Sequence, residues 1–318
     1  MMILDVILLI VGFVILIKGA DVFVDGASSI AGNFKVSKML IGLTIVAFGT
    51  SAPEFAVSVK SLLNNSGDIV LGNVIGSNIL NILLILGISS LFHSLNVTNN
   101  TVKKELPITL LITTLFAVLL SDSLFDKHII NEFTRGDGIV LLLFFTIFIY
   151  YLISMARKKI DNDQDEEYLP MGKALLYTLG GLIAIVIGSN LVVDNASSLA
   201  LAIGVSEKMV ALTIIAFGTS LPELVTSVAA TRKGEYDIAI GNIVGSNIFN
   251  IGVVIGIPVA LLGSISKVTF NYIDLAAMLL SALLLFLFSL KDKKISRNEG
   301  IIFLIIFVIY YAYVIYAG

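Results

Sequence analysis

Apolar residues run through this chain in stretches too long for the helices of a water-soluble domain. Hydropathy divides it into ten, at 3–30, 38–63, 68–93, 104–122, 136–156, 171–199, 207–231, 237–263, 270–290 and 299–316. A helix needs about 20 apolar residues to cross the hydrocarbon core of a bilayer. Most of the stretches exceed that length, which predicts tilted or kinked helices. The pattern predicts an all-α polytopic membrane protein with ten transmembrane helices. The first and sixth stretches are the longest and the most interrupted. Asp21 and Asp25 fall in the second half of one, Asn190 and Asp194 in the second half of the other. These are read as the wet ends of long helices rather than as an ion path.

The second and seventh stretches are broken by polar residues at mid-depth. The first such word is Ala47-Phe48-Gly49-Thr50-Ser51-Ala52-Pro53-Glu54. A carboxylate at the centre of a membrane helix costs at least roughly 2.5–3.5 kcal/mol, so an intramembrane acid points to function. Pro53 has no N–H, so the carbonyl of Gly49 loses its helical partner, and the proline ring pushes it aside. Carbonyls, the hydroxyls of Thr50 and Ser51 and the carboxylate of Glu54 then make an all-oxygen set, suited to a hard cation such as Na⁺ or Ca²⁺. The word recurs as Ala216-Phe217-Gly218-Thr219-Ser220-Leu221-Pro222-Glu223, identical at seven of eight positions and offset by 169.

A second pair of words follows at the same offset, Gly72-Asn73-Val74-Ile75-Gly76-Ser77-Asn78-Ile79-Leu80-Asn81 and Gly241-Asn242-Ile243-Val244-Gly245-Ser246-Asn247-Ile248-Phe249-Asn250. Ser77 and Asn81 are four apart and share a helix face, as do Ser246 and Asn250, Thr50 and Glu54, and Thr219 and Glu223. A lone Ser or Asn in a membrane helix usually serves as helix–helix glue. Duplication in register beside the two broken words favours a paired site instead.

The repeat extends further. Gly19 matches Gly188, Asp25 matches Asp194, Val36-Ser37 matches Val205-Ser206, and Gly87 matches Gly256. This gives a first five-helix repeat over 1–156, a cytoplasmic linker over 157–170 and a second five-helix repeat over 171–318. A unit of five spans is odd-numbered, so the second copy must insert upside down relative to the first. Inverted repeats with a midplane site between broken helices are a transporter architecture.

Composition agrees with the pattern. The chain is 57% hydrophobic and 14% charged, against about 25% charged in a soluble domain. A net charge of −3 without a basic patch gives no reason to expect a nucleic-acid partner. With no cysteine there is no disulfide, thiolate metal site or Cys nucleophile. His93 and His128 fall near span ends and read as interfacial residues rather than a zinc pair. Asp161-Asn162-Asp163-Gln164-Asp165 lacks the glycine and the final glutamate of a calcium-binding EF-hand loop, and reads as solvated linker. The N-terminus reads as a first membrane helix, not a cleaved signal. Tyr150, Tyr151, Tyr310, Tyr311, Tyr313 and Tyr316 read as interfacial anchors. Of the 20 Lys and Arg, fourteen fall on the linker's side of the membrane and five on the other, with Lys18 inside the first span. The positive-inside rule then places both termini outside a cell membrane.

Only Glu54 and Glu223, of 23 acidic residues, sit at mid-span. Together they carry −2, which matches one Ca²⁺ or neutralises two Na⁺. Empty, two close carboxylates repel. A site unstable when empty and charge-matched when loaded suits an obligatory exchanger.

With both pairs of words in order, the chain resembles the cation/Ca²⁺ antiporter superfamily, specifically its microbial Na⁺/Ca²⁺ exchanger branch. The resemblance spans nearly the whole chain, but the long cytoplasmic insert of animal exchangers is missing. It implies four adjoining cation sites. A central one would use Glu54, Asn81, Glu223 and Asn250. An inner one would use Ser51, Glu223 and Ser246 with the carbonyls of Ala47 and Thr50. An outer one would use Glu54, Ser77 and Ser220 with the carbonyls of Ala216 and Thr219. Ca²⁺ would be held by both glutamates and the carbonyls of Thr50 and Thr219. The resemblance also implies that the first and sixth spans slide as a gate across a static core. Many relatives carry aspartate where this chain has Asn250, and the amide argues against K⁺ co-transport.

The leading reading is a Na⁺/Ca²⁺ antiporter. H⁺/Ca²⁺ exchange is the alternative, because two glutamates can carry protons. An intramembrane enzyme lacks a His or Cys at the site, and a passive channel has no need of paired sites. No cofactor is expected. Ca²⁺ and Na⁺ are substrates, the bilayer is the surroundings, and no obligate protein partner is evident.

Overall fold

The computed structural model describes residues 2–125, 131–158, 167–205, 210, 214, 216–266 and 271–317. The long apolar runs form α1 (Met2–Phe34), α2 (Lys38–Thr50) and α3 (Ala52–Leu63), and α4 (Gly67–Phe92). The short strand β1 (Leu95–Asn96) follows, then α5 (101–119), α6 (Arg135–Ala156) and α7 (Met171–Ala202). The chain continues with α8 (Ala216–Thr219), α9 (Leu221–Arg232), α10 (Tyr236–Leu262), α11 (Tyr272–Asp292), β2 (Lys294–Ile295) and α12 (Arg297–Ala317).

Among the described residues, seven helices are long and apolar enough to cross a bilayer, and α2 with α3, bent by 45° at Ser51, brings the number to eight. The sequence pattern expects ten. The fourth expected span is α5, where the α-helical part Leu106–Leu119 follows a π-helical turn, Thr101–Glu105. The seventh, 207–231, is seen as α8 and α9, and most of its first turns lie outside the described residues. So do His128, the Asp161–Asp165 run and Ser206. Local chemistry sets several helix starts: Thr134 and Asp137 form a reciprocal cap on α6, and Ser296 and Glu299 pair in the same way at the start of α12.

The buried apolar side chains fall into two clusters. The larger gathers Leu83 of α4, Phe116 of α5, Phe148 of α6, Ile248 of α10, Leu285 of α11 and Phe303 of α12. The smaller is built mainly from α1 and α7, with Leu16, Phe23, Val24 and Ile185 at its centre. Along this pair Gly12, Gly19 and Gly26 meet Leu191, Ala184 and Thr178 in turn, so the two helices run antiparallel. Their approach is close. A Cβ on Gly181 would lie 2.6 Å from the backbone N of Phe23, and one on Gly188 2.6 Å from that of Leu16. Only glycine permits this backbone-to-backbone contact.

Two short pairings tie distant segments together: β1 with β2, antiparallel, and Phe133 with Ile265. Polar contacts gather where α1 ends. Lys38 lies 3.1 Å from Glu235, Ser28 donates to Glu235 at 2.7 Å, and Lys233 reaches Asp25 at 2.6 Å. Asp25 is half-exposed. A polar cavity of about 400 Å³, lined in part by Asp25, Ser28, Glu167 and Glu235, opens beside them, apart from the repeated words.

Tyr150 and Tyr316 are exposed, but Tyr151 donates to Glu105, Tyr310 donates to Asp274 at 3.0 Å, and Tyr311 packs on Phe217. A partly buried phenol favours a partner for its hydroxyl, and nearby carboxylates provide one for Tyr151 and Tyr310. Glu105 is also a third fully buried acid, at the first turns of α5 and not at mid-span.

Candidate cation site

Both broken words adopt the geometry that proline imposes. Pro53 and Pro222 occupy the first turn of α3 and α9, where a missing N–H is harmless to the new helix. The residue before each new helix leaves helical geometry: Ser51 has φ −84° and ψ 7°, and Ser220 has φ −89° and ψ 3°. Upstream, α2 is π-helical over Gly42–Val46, and the second words run into π-helical turns at Leu80–Leu86 and Asn250–Ile255. Such insertions re-aim side chains and concentrate at functional sites. Asn81 and Asn250 sit within them.

The breaks bring the copies together crosswise. Ser51 Oγ donates to Glu223 Oε1 at 2.8 Å and lies 3.0 Å from Ser246 Oγ, which is 3.5 Å from the same carboxylate oxygen. Ser220 Oγ donates to Glu54 Oε1 at 3.3 Å and lies 3.3 Å from Ser77 Oγ. Each cluster joins a serine of one copy to a glutamate and a serine of the other. All six residues are buried.

Several oxygens in this region are buried without a hydrogen-bond partner among the described residues: Glu54 Oε2, Glu223 Oε2, Asn81 Oδ1, Asn250 Oδ1 and Thr219 Oγ1. An unsatisfied buried polar atom costs about 1–3 kcal/mol, and more when charged. Native proteins rarely hold several together without a reason. Neither glutamate has an ion-pair partner among the described residues. Oxygen acceptors with no resident counter-charge are what a hard cation requires. No group of three or more His, Cys, Asp and Glu suited to a metal ion occurs among the described residues. The set therefore combines two carboxylates with hydroxyl, amide and carbonyl oxygens.

The remaining expected residues lie at the breaks. Thr50 closes α2 with its hydroxyl 3.0 Å from Asn242 Oδ1, and Thr219 closes α8. The buried Ala47 has its carbonyl bonded to the Ser51 N–H at 3.0 Å and lying 3.4 Å from the Thr50 hydroxyl, and Ala216 opens α8.

Some contributors escape the sequence reading. Asn73 donates to the Glu54 carbonyl and to Ser58 Oγ, both at 3.0 Å. Asn242 repeats this with the Glu223 carbonyl at 3.4 Å and Ser227 Oγ at 2.9 Å. These amides fasten each glutamate-bearing helix to the helix after it. The repeated Gly-Asn pair is the signal that marks them. Ser189 of α7 donates to the Gly218 carbonyl at 3.0 Å, replacing the donor that Pro222 cannot supply. Its equivalent on α1 is Ala20, so no repeat marks Ser189.

A family model described as sodium/calcium exchanger protein matches residues 4–154 and 173–316. Among curated relatives, the putative antiporter CaxA of Alkalimonas amylolytica is 38% identical, with 97% of this chain and 98% of the relative covered. The sodium/calcium exchanger MaX1 of Methanosarcina acetivorans is 31% identical, covering 99% and 100%. A solved structure of the sodium-calcium exchanger NCX_Mj superposes with a TM-score of 0.85 at 35% identity, covering 98% of this chain and 99% of that one.

Proposed function

The chain belongs to the sodium/calcium exchanger protein family, and from that premise we propose that it exchanges Na⁺ for Ca²⁺ at a site built on Glu54 and Glu223. At the coarser level it is a multi-pass membrane transporter, a cation/Ca²⁺ antiporter rather than an enzyme. The observation that carries the finer reading is the set of unpartnered buried oxygens on Glu54, Glu223, Asn81 and Asn250. Two carboxylates and two amide oxygens, with no resident cation, match one Ca²⁺ in charge or accept Na⁺ ions in its place.

In this reading the Ser51–Glu223–Ser246 cluster, with the Ala47 and Thr50 carbonyls, holds Na⁺ on the inner side. The Ser220–Glu54–Ser77 cluster, with the Ala216 and Thr219 carbonyls, holds it on the outer side. The four residues Glu54, Asn81, Glu223 and Asn250 form the centre, and Ca²⁺ uses both glutamates with the Thr50 and Thr219 carbonyls. The exchanger comprises ten membrane helices in two inverted halves, 1–156 and 171–318, joined by a cytoplasmic linker over 157–170, with both termini outside. The antiparallel run of the equivalent helices α1 and α7 supports the inversion; the serine–glutamate contacts that cross between copies and the family match to each half support the duplication. The glycine-tight antiparallel seam between α1 and α7 supports their moving as one gate over the rest.

The test is ⁴⁵Ca²⁺ uptake into proteoliposomes preloaded with Na⁺, K⁺ or choline at matched pH. Uptake is expected only from Na⁺-loaded vesicles, and it should respond to membrane potential because several Na⁺ per Ca²⁺ move net charge. Uptake that follows an imposed pH step regardless of Na⁺ would transfer the coupling to H⁺ and remove the Na⁺ sites.

A further inference from the structure

An asparagine side chain presents an oxygen on one side and an NH₂ on the other, nearly identical in shape. Only the oxygen can bind a cation, and a flipped amide would point two N–H groups at it. Something must therefore fix the flip of Asn81 and Asn250. The hydrogen bonds identify it. Asn81 Nδ2 donates to Asn247 Oδ1 at 2.9 Å, and Asn250 Nδ2 donates to Asn78 Oδ1 at 3.2 Å. With each NH₂ held, the Oδ1 atoms of Asn81 and Asn250 are the ones left without a partner. Asn78 is itself oriented, because its Nδ2 donates to the Asn247 carbonyl at 3.4 Å. All four side chains are buried, so water cannot satisfy a flipped amide.

Resting on the reading of Asn81 and Asn250 as ion ligands, we infer that Asn78 and Asn247 are positioning residues, each setting the amide direction of the ligand asparagine in the opposite half. The pairing is crossed. Asn78 lies one turn from Asn81 on α4, yet it holds Asn250 on α10, and Asn247 holds Asn81. Ion binding at the two amides is thereby made dependent on correct apposition of α4 and α10, at the point where both helices turn π-helical.

A purely structural role is the competing explanation, since buried asparagines often join membrane helices. The experiment separates the two by coupling. Full-length protein in proteoliposomes is assayed for half-saturating Na⁺ and Ca²⁺ and for maximal rate. The variants are Asn78→Ala, Asn81→Ala, Asn247→Ala and Asn250→Ala, singly and in pairs, with Ser replacing Ala wherever a variant fails to assemble. Loss of one orienting hydrogen bond is expected to raise half-saturation by about three- to tenfold in Asn78→Ala and Asn247→Ala, with the maximal rate retained. The crossed doubles, Asn81→Ala with Asn247→Ala and Asn250→Ala with Asn78→Ala, should be no worse than the ligand variant alone. The same-helix doubles should multiply. Multiplying effects in the crossed doubles would overturn the inference, as would a loss of thermal stability with unchanged half-saturation. If Asn81→Ala and Asn250→Ala themselves leave half-saturation unchanged, the ligand reading fails first and takes this inference with it.

Discussion

Glu223→Gln tests the site at its most demanding point, because it keeps the shape of the side chain and removes one charge. Glu223 Oε1 accepts from Ser51 at 2.8 Å, and Oε2 has no partner among the described residues. An amide oxygen can still accept from Ser51. What the variant loses is attraction to the ion. At an ion–oxygen distance of about 2.4 Å and an effective dielectric of about 20, one carboxylate attracts Ca²⁺ by roughly 14 kcal/mol and Na⁺ by roughly 7. The amide avoids the carboxylate's own desolvation, which offsets several kcal/mol of either loss. An offset that cancels most of the roughly 7 kcal/mol lost for Na⁺ leaves roughly 7 kcal/mol lost for Ca²⁺, about a hundred-thousandfold in affinity. The assay is initial ⁴⁵Ca²⁺ uptake against external Ca²⁺, with ²²Na⁺/Na⁺ exchange measured in the same vesicles. Ca²⁺ uptake should vanish over the accessible range while Na⁺/Na⁺ exchange survives in part. Half-saturation for Ca²⁺ within about threefold of the parent, or equal fractional losses for the two ions, would refute the charge argument.

Gly188→Leu forces α1 and α7 apart, since even a Cβ would lie 2.6 Å from the Leu16 backbone; transport should fall to background in vesicles containing intact protein, and normal rates would mean that the pair need not be tight. Ser189→Ala leaves the Gly218 carbonyl without its donor, at a cost of about 1–3 kcal/mol, so the melting temperature in detergent should drop; an unshifted transition would show that the bond contributes nothing. Because the chain has no cysteine, single replacements report topology without background. Arg135→Cys should react with an impermeant maleimide on intact cells, and Lys294→Cys only after permeabilisation; the opposite pattern reverses the predicted orientation.

The repeated words were legible because they violate the surrounding hydropathy twice at one offset. Glu54 and Glu223 each stand out by the cost of a mid-span charge, and Pro53 and Pro222 announce the breaks in advance. Most helix ends were also legible, within a few residues, from where apolar runs stop; α6 begins at Arg135 against an expected 136. The crossed contacts were not. A sequence states that Ser51 and Glu223 exist in equivalent words, but not that the serine of one meets the carboxylate of the other. The π-helical turns at Gly42–Val46, Leu80–Leu86 and Asn250–Ile255 leave no compositional trace, since they arise from packing rather than propensity. Ser189 escaped because its role depends on a carbonyl 29 residues away. The hydroxyl partners of Tyr151 and Tyr310, Glu105 and Asp274, lie 46 and 36 residues away and leave no mark in the sequence.

The crossing of the two serine–glutamate clusters also bears on how the chain is made. Glu54 is synthesised long before Ser220, its hydrogen-bond donor. While the ribosome is still translating the second half, the first already holds a mid-span carboxylate without that serine. The exposure costs at least roughly 2.5–3.5 kcal/mol in lipid. The nascent half therefore enters the bilayer incomplete, and it becomes a settled membrane protein only when α8 to α10 arrive.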